Sequence, residues 1–487
     1  MIQATGCTGN PGRLRLYLIN PCNPLVSITR IGQSRWNRYR VWKPLSLMVL
    51  AGMTPADWDV SILDENLGVP DYGALPRPDL VGITAFTSQA GRAYELAALY
   101  RGTGVPVVMG GIHATMCPDE ALLNADAVVS GEAEGVWPQV LEDARKGCLQ
   151  RSYRGGLADI EEVPPARHDM LSEGYAFGAI QTTRGCPLNC SFCSVTAFNG
   201  AQYRQRPVDD VVREFRAIRE KHVLVVDDNL IGTRAEHIAR AKELFRALAA
   251  AGLGKKWIAQ LTINFADDEE LMTLAARAGC RGVFIGFESP TPEGLAEVGK
   301  KFNILKVRDF RASVRRVQRH GILVVGSFII GLDVDRPGIG RHIAETACEY
   351  GLDNLNVLFL TPLPGTRQWE TMKSAGRIAL DAFPNDWKYF TLTFPVARYR
   401  HLSLDQVLAE MSACDRYFYS VPRILMRVWS SLWGRRQPLI SLVGNFSYRK
   451  NLAVSSRTWG DFKRYCDKAA VDPVRIERVP SCTPVER

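Results

Sequence analysis

Three cysteines pose the first chemical question. Cys186, Cys190 and Cys193 lie within residues 181–194 in a C-x3-C-x2-C arrangement. Thiolates are metal ligands, and three of them on one short loop can each bind one iron of a four-iron, four-sulfur cluster. The fourth iron then has no protein ligand and stays open to a small molecule. A structural zinc site would want a fourth ligand close in sequence, and no Cys or His occurs between residues 194 and 220. Three free cysteines after an apolar strand are the bland alternative.

Other reactive or polar groups recur downstream, each after an apolar run. They are Asp227-Asp228-Asn229, Gln260 with Thr262, Glu288-Ser289 after Gly286-Phe287, and the stretch from Gly326 to Asp333 that contains Gly331. The runs themselves predict strands over 179–183, 223–226, 257–262, 283–287, 322–330 and 355–360. Helical periodicity predicts helices over 208–220, 235–250, 268–278, 307–320 and 339–350 between and after them. Six such β/α units imply an open, partial barrel rather than the closed eight, with functional groups at the carboxyl ends of its strands. Taken singly, Asp227 or Glu288 has a plain reading as a helix N-cap. Their succession at consecutive strand ends, after the cysteines, is the stronger signal.

Residues 1–150 carry a second alternating pattern. Strands are predicted over 14–20, 60–64, 80–85, 105–109 and 127–130, with helices over 44–53, 90–101 and 136–146. Strands alternating with helices argue for a parallel, doubly wound Rossmann-like sheet, whose ligands bind outside the carboxyl ends of the strands. Asn20, Thr84, Phe86, Thr87, Ser88, Gly110, Gly111, His113 and Gly131 fall there and bound one crevice. The paired glycines permit close approach of a bulky ligand to the backbone. His113 also has a plain reading, as a core histidine beside a glycine turn.

The cysteine loop, with Arg184, Gly185, Pro187 and Phe192 around it, resembles that of the radical S-adenosylmethionine (radical SAM) superfamily. The first half resembles the cobalamin-binding domain joined to many of its members, through Pro44-Leu45-Ser46-Leu47, Val81-Gly82-Ile83-Thr84, Gly110-Gly111-Ile112-His113 and Ser130-Gly131-Glu132-Ala133-Glu134. The resemblance covers roughly residues 14–390. It implies a 4Fe-4S cluster on Cys186, Cys190 and Cys193, and SAM chelated at the open iron and cleaved to a 5′-deoxyadenosyl radical. Asp227 or Asp228 would receive the SAM amino group, which needs an acceptor-only partner. Gln260, Glu288, Ser289 and Gly331 would contact the rest of SAM. Thr84, Phe86, Ser88, Gly110, Gly111, His113 and Gly131 would contact cobalamin. The D-x-H-x-x-G motif whose His binds cobalt in corrinoid carriers is missing; the loop reads Asn20-Pro21-Cys22-Asn23-Pro24-Leu25. Cobalt would therefore have no histidine from this motif.

The resemblance further implies methylation of an unactivated carbon. A substrate radical would take a methyl group from methylcobalamin, and a second SAM would restore it. It also implies an electron donor such as flavodoxin or ferredoxin. A cyclase or rearrangement enzyme keeping the radical without methyl transfer is the alternative. Methylthiolation of tRNA would need further cluster cysteines, and Cys7, Cys22, Cys117 and Cys148 form no compact ligand pattern. A non-catalytic cobalamin-binding sensor or carrier would leave the cysteine loop unused.

The chain of 487 residues is 46% hydrophobic, ordinary for a globular protein with full cores. It divides into residues 1–150, a connector over 151–176, the barrel over 177–395 and a mostly helical, basic region over 396–487. No apolar run of about 18 residues predicts a membrane span, and nothing resembles a secretory leader. Twelve cysteines without a disulfide framework suit a reduced, cytoplasmic setting. The net charge of +9 is unevenly placed. Residues 1–56 hold no acid but carry Arg13, Arg15, Arg30, Arg35, Arg38, Arg40 and Lys43, and residues 416–464 hold ten basic residues and one acid, Asp461. A helix over 421–433 groups Ile424, Leu425, Val428, Trp429, Leu432 and Trp433 on one face, away from Arg423 and Arg427. Such a face either packs on the barrel or lies in a membrane interface. The second course would put the enzyme at the cytoplasmic membrane surface, acting on a lipid-like or otherwise apolar small molecule, with nucleic acid disfavoured as a partner.

Overall fold

In the computed structural model, residues 12–23, 25, 42–171, 174–300, 309–434 and 438–471 are described. Cys7, Pro24, Arg30, Arg35, Arg38, Arg40, Arg435, Arg436, the start of the helix predicted over 307–320, and the side chains of Trp433 and Lys450 lie outside them.

The first sheet contains β1 (Leu14–Asn20), β2 (Trp58–Asp64), β3 (Leu80–Thr84), β4 (Val107–Gly110), β5 (Ala127–Ser130) and β6 (Ser152–Arg154). All pairs are parallel, in the order β2-β1-β3-β4-β5-β6. The direction of winding reverses between β1 and β3, which opens a crevice at their carboxyl ends. Central strands of such a sheet are covered on both faces, so they read as unbroken apolar runs; Leu16, Tyr17, Leu18 and Ile19 are all buried. The sixth strand comes from residues predicted to be connector. Two short helices, Gly111–Met116 and Pro118–Asn124, also have no counterpart in the predicted elements.

The second sheet contains β7 (Phe177–Ile180), then β10 (His222–Val225), β11 (Lys256–Leu261), β12 (Cys280–Glu288), β13 (Leu323–Ile330) and β14 (Asn354–Phe359). Between the first two, a small antiparallel pair, β8 (Thr183–Arg184) and β9 (Arg204–Gln205), brackets the cysteine loop. The six large strands are all parallel and lie in sequence order, with no hydrogen bonding between β14 and β7 among the described residues. This is the predicted open barrel. An open edge exposes unpaired backbone groups, and the chain that follows β14 covers them. The Tyr419 hydroxyl accepts from Leu355 N at 2.9 Å and donates to Leu355 O at 2.6 Å, while Phe359 N donates to Leu392 O at 2.9 Å.

Three helices form most of that region: Leu404–Phe418, Val421–Gly434 and Pro438–Val471. The third, of 34 residues, was not predicted. It runs along β14, where Asn445 Nδ2 donates to Asp353 O at 3.1 Å and Trp459 Nε1 to Thr393 O at 2.9 Å.

Residues 383–390 fasten the barrel to the first sheet. Trp387 is fully buried, stacks on Phe383 at 3.6 Å between ring centres and packs edgewise on Phe390. Its Nε1 donates to Glu120 Oε1 of the first domain at 2.8 Å. Replacing Trp387 by Ala removes this anchor and leaves a cavity, so stability should fall by about 3–5 kcal/mol. Urea unfolding followed by far-UV circular dichroism checks this, and an unchanged midpoint would show the contact to be idle.

Candidate functional site

The cysteine loop is held at several points. Asp228 Oδ2 accepts from Gly185 N at 3.0 Å and from Asn199 Nδ2 at 2.9 Å, fixing both ends of the loop to the end of β10. Ser191 N donates to Val298 O at 3.2 Å, and Gln368 N to Ser191 O at 2.9 Å. Cys186, Cys190 and Cys193 are free, partly buried thiols. Burial raises all three above the ordinary thiol range, Cys193 to about 11. Among the described residues no three His, Cys, Asp or Glu side chains converge on one ion.

The two carboxylates after β10 differ. Asp227 is buried, accepts from Thr182 N at 2.6 Å, Thr182 Oγ1 at 2.6 Å and Thr183 Oγ1 at 2.9 Å, and so uses both oxygens to join β10 to the end of β7. Burial pushes its carboxyl up to about 6 against those hydrogen bonds. Asp228 keeps Oδ1 without a donor among the described residues. Neither residue caps a helix. The neighbouring Asn229 is 1% exposed, and neither its Nδ2 nor its Oδ1 has a partner among the described residues. A buried, unpaired amide costs about 1–3 kcal/mol per group. It is therefore a standing donor and acceptor for a ligand, and it fits a polar cofactor such as SAM at this edge.

Glu288 ends β12 in the left-handed region, at φ 67°, where a non-glycine residue stores about 1–3 kcal/mol. Its Oε1 lies 2.6 Å from Lys300 Nζ, and both groups are buried. Gly286 makes room for the pair: a Cβ there would stand 2.6 Å from the ammonium and collide with the Glu288 carboxylate. Burial disfavours the Lys300 charge, but Glu288 and the nearby Cys190 and Cys186 outweigh it and raise the lysine. Lys300 was not singled out from sequence; no local pattern marks it. Gln260 is exposed at the end of β11. Ser289 Oγ contacts Thr291 Oγ1 at 3.3 Å. Gly331 lies under the Tyr399 ring, and its N donates to Asp335 Oδ2 at 2.8 Å.

Across from this edge lies the crevice of the first sheet. A cavity of about 260 Å³ runs between them, near the lower end of small-molecule sites at about 300–1,000 Å³. Thr84, Gly110, Gly111, Gly131 and Glu132 line it from the first domain, and Gln181, Arg184, Phe198, Asn199 and Val226 from the barrel. It extends past Leu18, Gly82 and Val108 under the helix Leu45–Met53. Gly111 takes φ 87°, and a Cβ there would stand 2.6 Å from Thr84 Oγ1. An apolar slot beneath a polar seam suits an appendage of a large amphipathic cofactor such as cobalamin. Phe86, two-thirds exposed, and Ser88 stand on the same sheet edge but do not line the cavity. Asn20 donates to Asp64 Oδ1 at 2.9 Å, and Thr87 is buried. His113 follows its plain reading: it is fully buried, with Nε2 2.8 Å from the Tyr94 hydroxyl and its ring 5.5 Å from Trp387.

The two domains meet through charge. Glu132, almost fully buried, receives Arg184 Nη1 at 2.8 Å, Arg204 through both terminal nitrogens, and Ala158 N at 2.8 Å. Glu134 takes Arg184 Nη2 at 2.8 Å. Burial alone would raise Glu132, but Arg204 and Arg184 hold it below the usual carboxylate range.

Comparison with known proteins agrees with this geometry. The chain matches the Radical SAM superfamily over residues 180–337 and the B12 binding domain over residues 37–141. It is 30% identical over 398 residues to the bacteriochlorophyllide d C-12(1)-methyltransferase of Chlorobaculum tepidum, covering 79% of this chain and 84% of the relative. It is 26% identical to the hopanoid C-2 methylase of Rhodopseudomonas palustris, covering 79% and 72%. In fold it is similar to OxsB, a cobalamin-dependent S-adenosylmethionine radical enzyme solved with aqua-cobalamin and S-adenosylmethionine, with TM-score 0.65, 14% identity and 97% and 77% of the two chains covered. The chain belongs to the radical SAM superfamily, with a B12 binding domain ahead of the barrel. It is an enzyme whose cofactors are a 4Fe-4S cluster, SAM and cobalamin.

Two outcomes test the site. Lys300→Met should strand Glu288 as a buried unpaired charge and cost about 3–5 kcal/mol of stability, part of which Glu288→Gln in the same chain should restore. Thermal unfolding of the single and double variants reads this, and strictly additive losses would show the pair to be uncoupled. No histidine lines the cavity among the described residues. The bound cob(II)alamin form should accordingly give an electron paramagnetic resonance spectrum without nitrogen superhyperfine splitting. Splitting, or failure to take up cobalamin, would refute this.

Proposed function

We propose that this enzyme transfers a methyl group to an unactivated carbon of a lipid-like or secondary-metabolite substrate. The observation that carries the reading is the shared cavity, which opens the crevice of the B12 binding domain onto residues flanking the cysteine loop. The two named relatives are a bacteriochlorophyllide methyltransferase and a hopanoid methylase, which supports a large, largely apolar substrate here.

When bound, the cofactors supply a SAM-derived radical and a transferable methyl group. The chain's own residues bind, orient and exclude. In this reading Cys186, Cys190 and Cys193 hold the cluster. Asp228, with its unused oxygen, receives the SAM amino group, and Asp227 positions the strand ends from behind. Gln260, Glu288, Ser289 and Gly331 make the remaining SAM contacts, with Asn229 satisfied by the same ligand. Thr84, Phe86, Ser88, Gly110, Gly111 and Gly131 face cobalamin, and His113 braces them from the core. The corresponding division is 1–150, 151–176, 177–395 and 396–487. An electron-donor protein of the flavodoxin or ferredoxin type supplies the reducing electron, and the enzyme works in the cytoplasm at the membrane face.

Anaerobic incubation of the reconstituted protein with cobalamin, methyl-labelled SAM and lipid or metabolite extracts tests the proposal. Label in an extractable product, together with 5′-deoxyadenosine, is expected. The Cys186→Ala, Cys190→Ala, Cys193→Ala variant should lose iron and sulfide and yield neither. Production of 5′-deoxyadenosine with no label transferred would favour cyclisation or rearrangement, and inertness of the wild type would favour a cobalamin carrier.

A further inference from the structure

The C-terminal helices present apolar groups outward. Seven of the fourteen exposed large hydrophobic side chains among the described residues lie between 421 and 446: Val421, Leu425, Met426, Trp429, Leu432, Val443 and Phe446. A face this concentrated is unusual for a surface that meets only water. It adjoins the residues that pack inward. On the helix Val421–Gly434, Ile424 and Ser431 are buried and Val428 packs on the core. Val421, Leu425, Trp429 and Leu432, at steps of four, four and three, form an exposed stripe along the flank of that inward side. The helix thus has one broad apolar face, of which the barrel covers one side and leaves the other exposed. Val443 and Phe446 on the helix Pro438–Val471, which packs against the first, extend the apolar area to a second helix.

Charge decides between occupants. Residues 416–464 hold ten basic residues and one acid. Some cations are engaged internally: the Arg423 guanidinium lies 3.8 Å from the Tyr417 ring centre, and that of Arg427 4.0 Å from the Phe418 ring centre while its Nη2 bonds Asn445 Oδ1 at 2.7 Å. These partners are neutral, so the guanidinium charge still contributes to the field outside. Only Arg464 with Asp461, and Lys463 with Asp405, are offset by carboxylates among the described residues of the segment. An apolar stripe in a cationic surround complements an anionic lipid surface. No described helix is long and apolar enough to cross a membrane, so contact would be made from one side.

We infer that the outward face of the helices Val421–Gly434 and Pro438–Val471 is a peripheral docking surface for anionic membrane. Val421, Leu425, Trp429, Leu432, Val443 and Phe446 enter the headgroup boundary, and the surrounding arginines meet lipid phosphate. The inference deepens the lipid-like substrate reading and rests on it for its purpose, but its test needs no turnover.

The full chain is floated with phosphatidylcholine vesicles and with vesicles that also contain phosphatidylglycerol, at low and high salt. The wild type should float with the anionic vesicles, less so at high salt because charge attraction is screened within about 8–10 Å. The Leu425→Ser, Trp429→Ser, Leu432→Ser variant changes only exposed positions. It should keep the wild-type circular dichroism spectrum and bind those vesicles at least about tenfold more weakly, since apolar insertion is lost. Flotation of wild type and variant alike, or of neither with either vesicle, overturns the inference. A wild type that elutes as a dimer, floats with no vesicle and becomes monomeric in the variant would assign the face to a second copy of the chain. Because binding is read without SAM, absence of methyl transfer would leave this result standing, and absence of flotation would leave the chemistry standing.

Discussion

The active arrangement depends on one carboxylate of the first domain, Glu132, that two arginines of the barrel share. Arg184 and Arg204 are direct cross-strand partners in the small β8–β9 ribbon. Like charges in that position repel, and the ribbon that brackets the cysteine loop would splay if left alone. Glu132 relieves this from the other domain: its two oxygens take both guanidiniums, and Glu134 takes the remaining arm of Arg184. A buried ion pair of this kind adds little net stability against an apolar replacement, but removing one partner costs about 3–5 kcal/mol. Its effect is on placement. The ribbon that brackets the cysteines is held beside the end of β5 by this contact, so it helps to set the register between the crevice of the first sheet and the cysteine loop.

Placement then propagates through short polar links rather than through apolar mass. Asp228 ties Gly185, just before Cys186, to Asn199 beyond Cys193, and Asp227 ties the end of β10 to Thr182 and Thr183. Among the described residues these bonds leave Asn229 and one oxygen of Asp228 unsatisfied at the same edge. In a folded core such orphans are rare because they are costly. Here they lie where the strand ends open, which is the position from which a ligand can supply the missing partners.

Much of this was legible in the sequence, because the informative residues are local. Strands buried on two faces read as apolar runs, and the cysteine spacing needs only eight residues. The elements 14–20, 90–101, 235–250 and 339–350 were readable to the residue. What was not legible depends on distant partners. Lys300 matters because the chain returns it to Glu288 and the cysteines. His113 has the right neighbours in sequence, yet the helix it opens turns its ring inward to Tyr94 and Trp387. Asp227 and Asp228 differ only through partners distant in sequence, because Thr182 and Thr183 occupy both oxygens of the first. The helix Pro438–Val471 escaped notice because successive stretches of it face different surroundings, with Asn445 on β14 and Trp459 on Phe359, so no single apolar period runs its length.

The open barrel explains why a C-terminal region is needed at all. Six strands leave β14 without a second neighbour, and an unpaired edge beside a radical-forming site would admit water and other chains. Tyr419 satisfies both backbone groups of Leu355 with one hydroxyl, and Leu392 takes Phe359 N. That solution draws the helices after residue 404 tightly onto β14 with only part of their apolar surface. Ile424, Trp459 and Phe462 go inward, and the outward stripe from Val421 to Leu432 is what the barrel edge leaves over. The same geometric requirement that closes the edge therefore sets where an apolar surface remains on the outside, alongside the barrel rather than across the seam between the two domains.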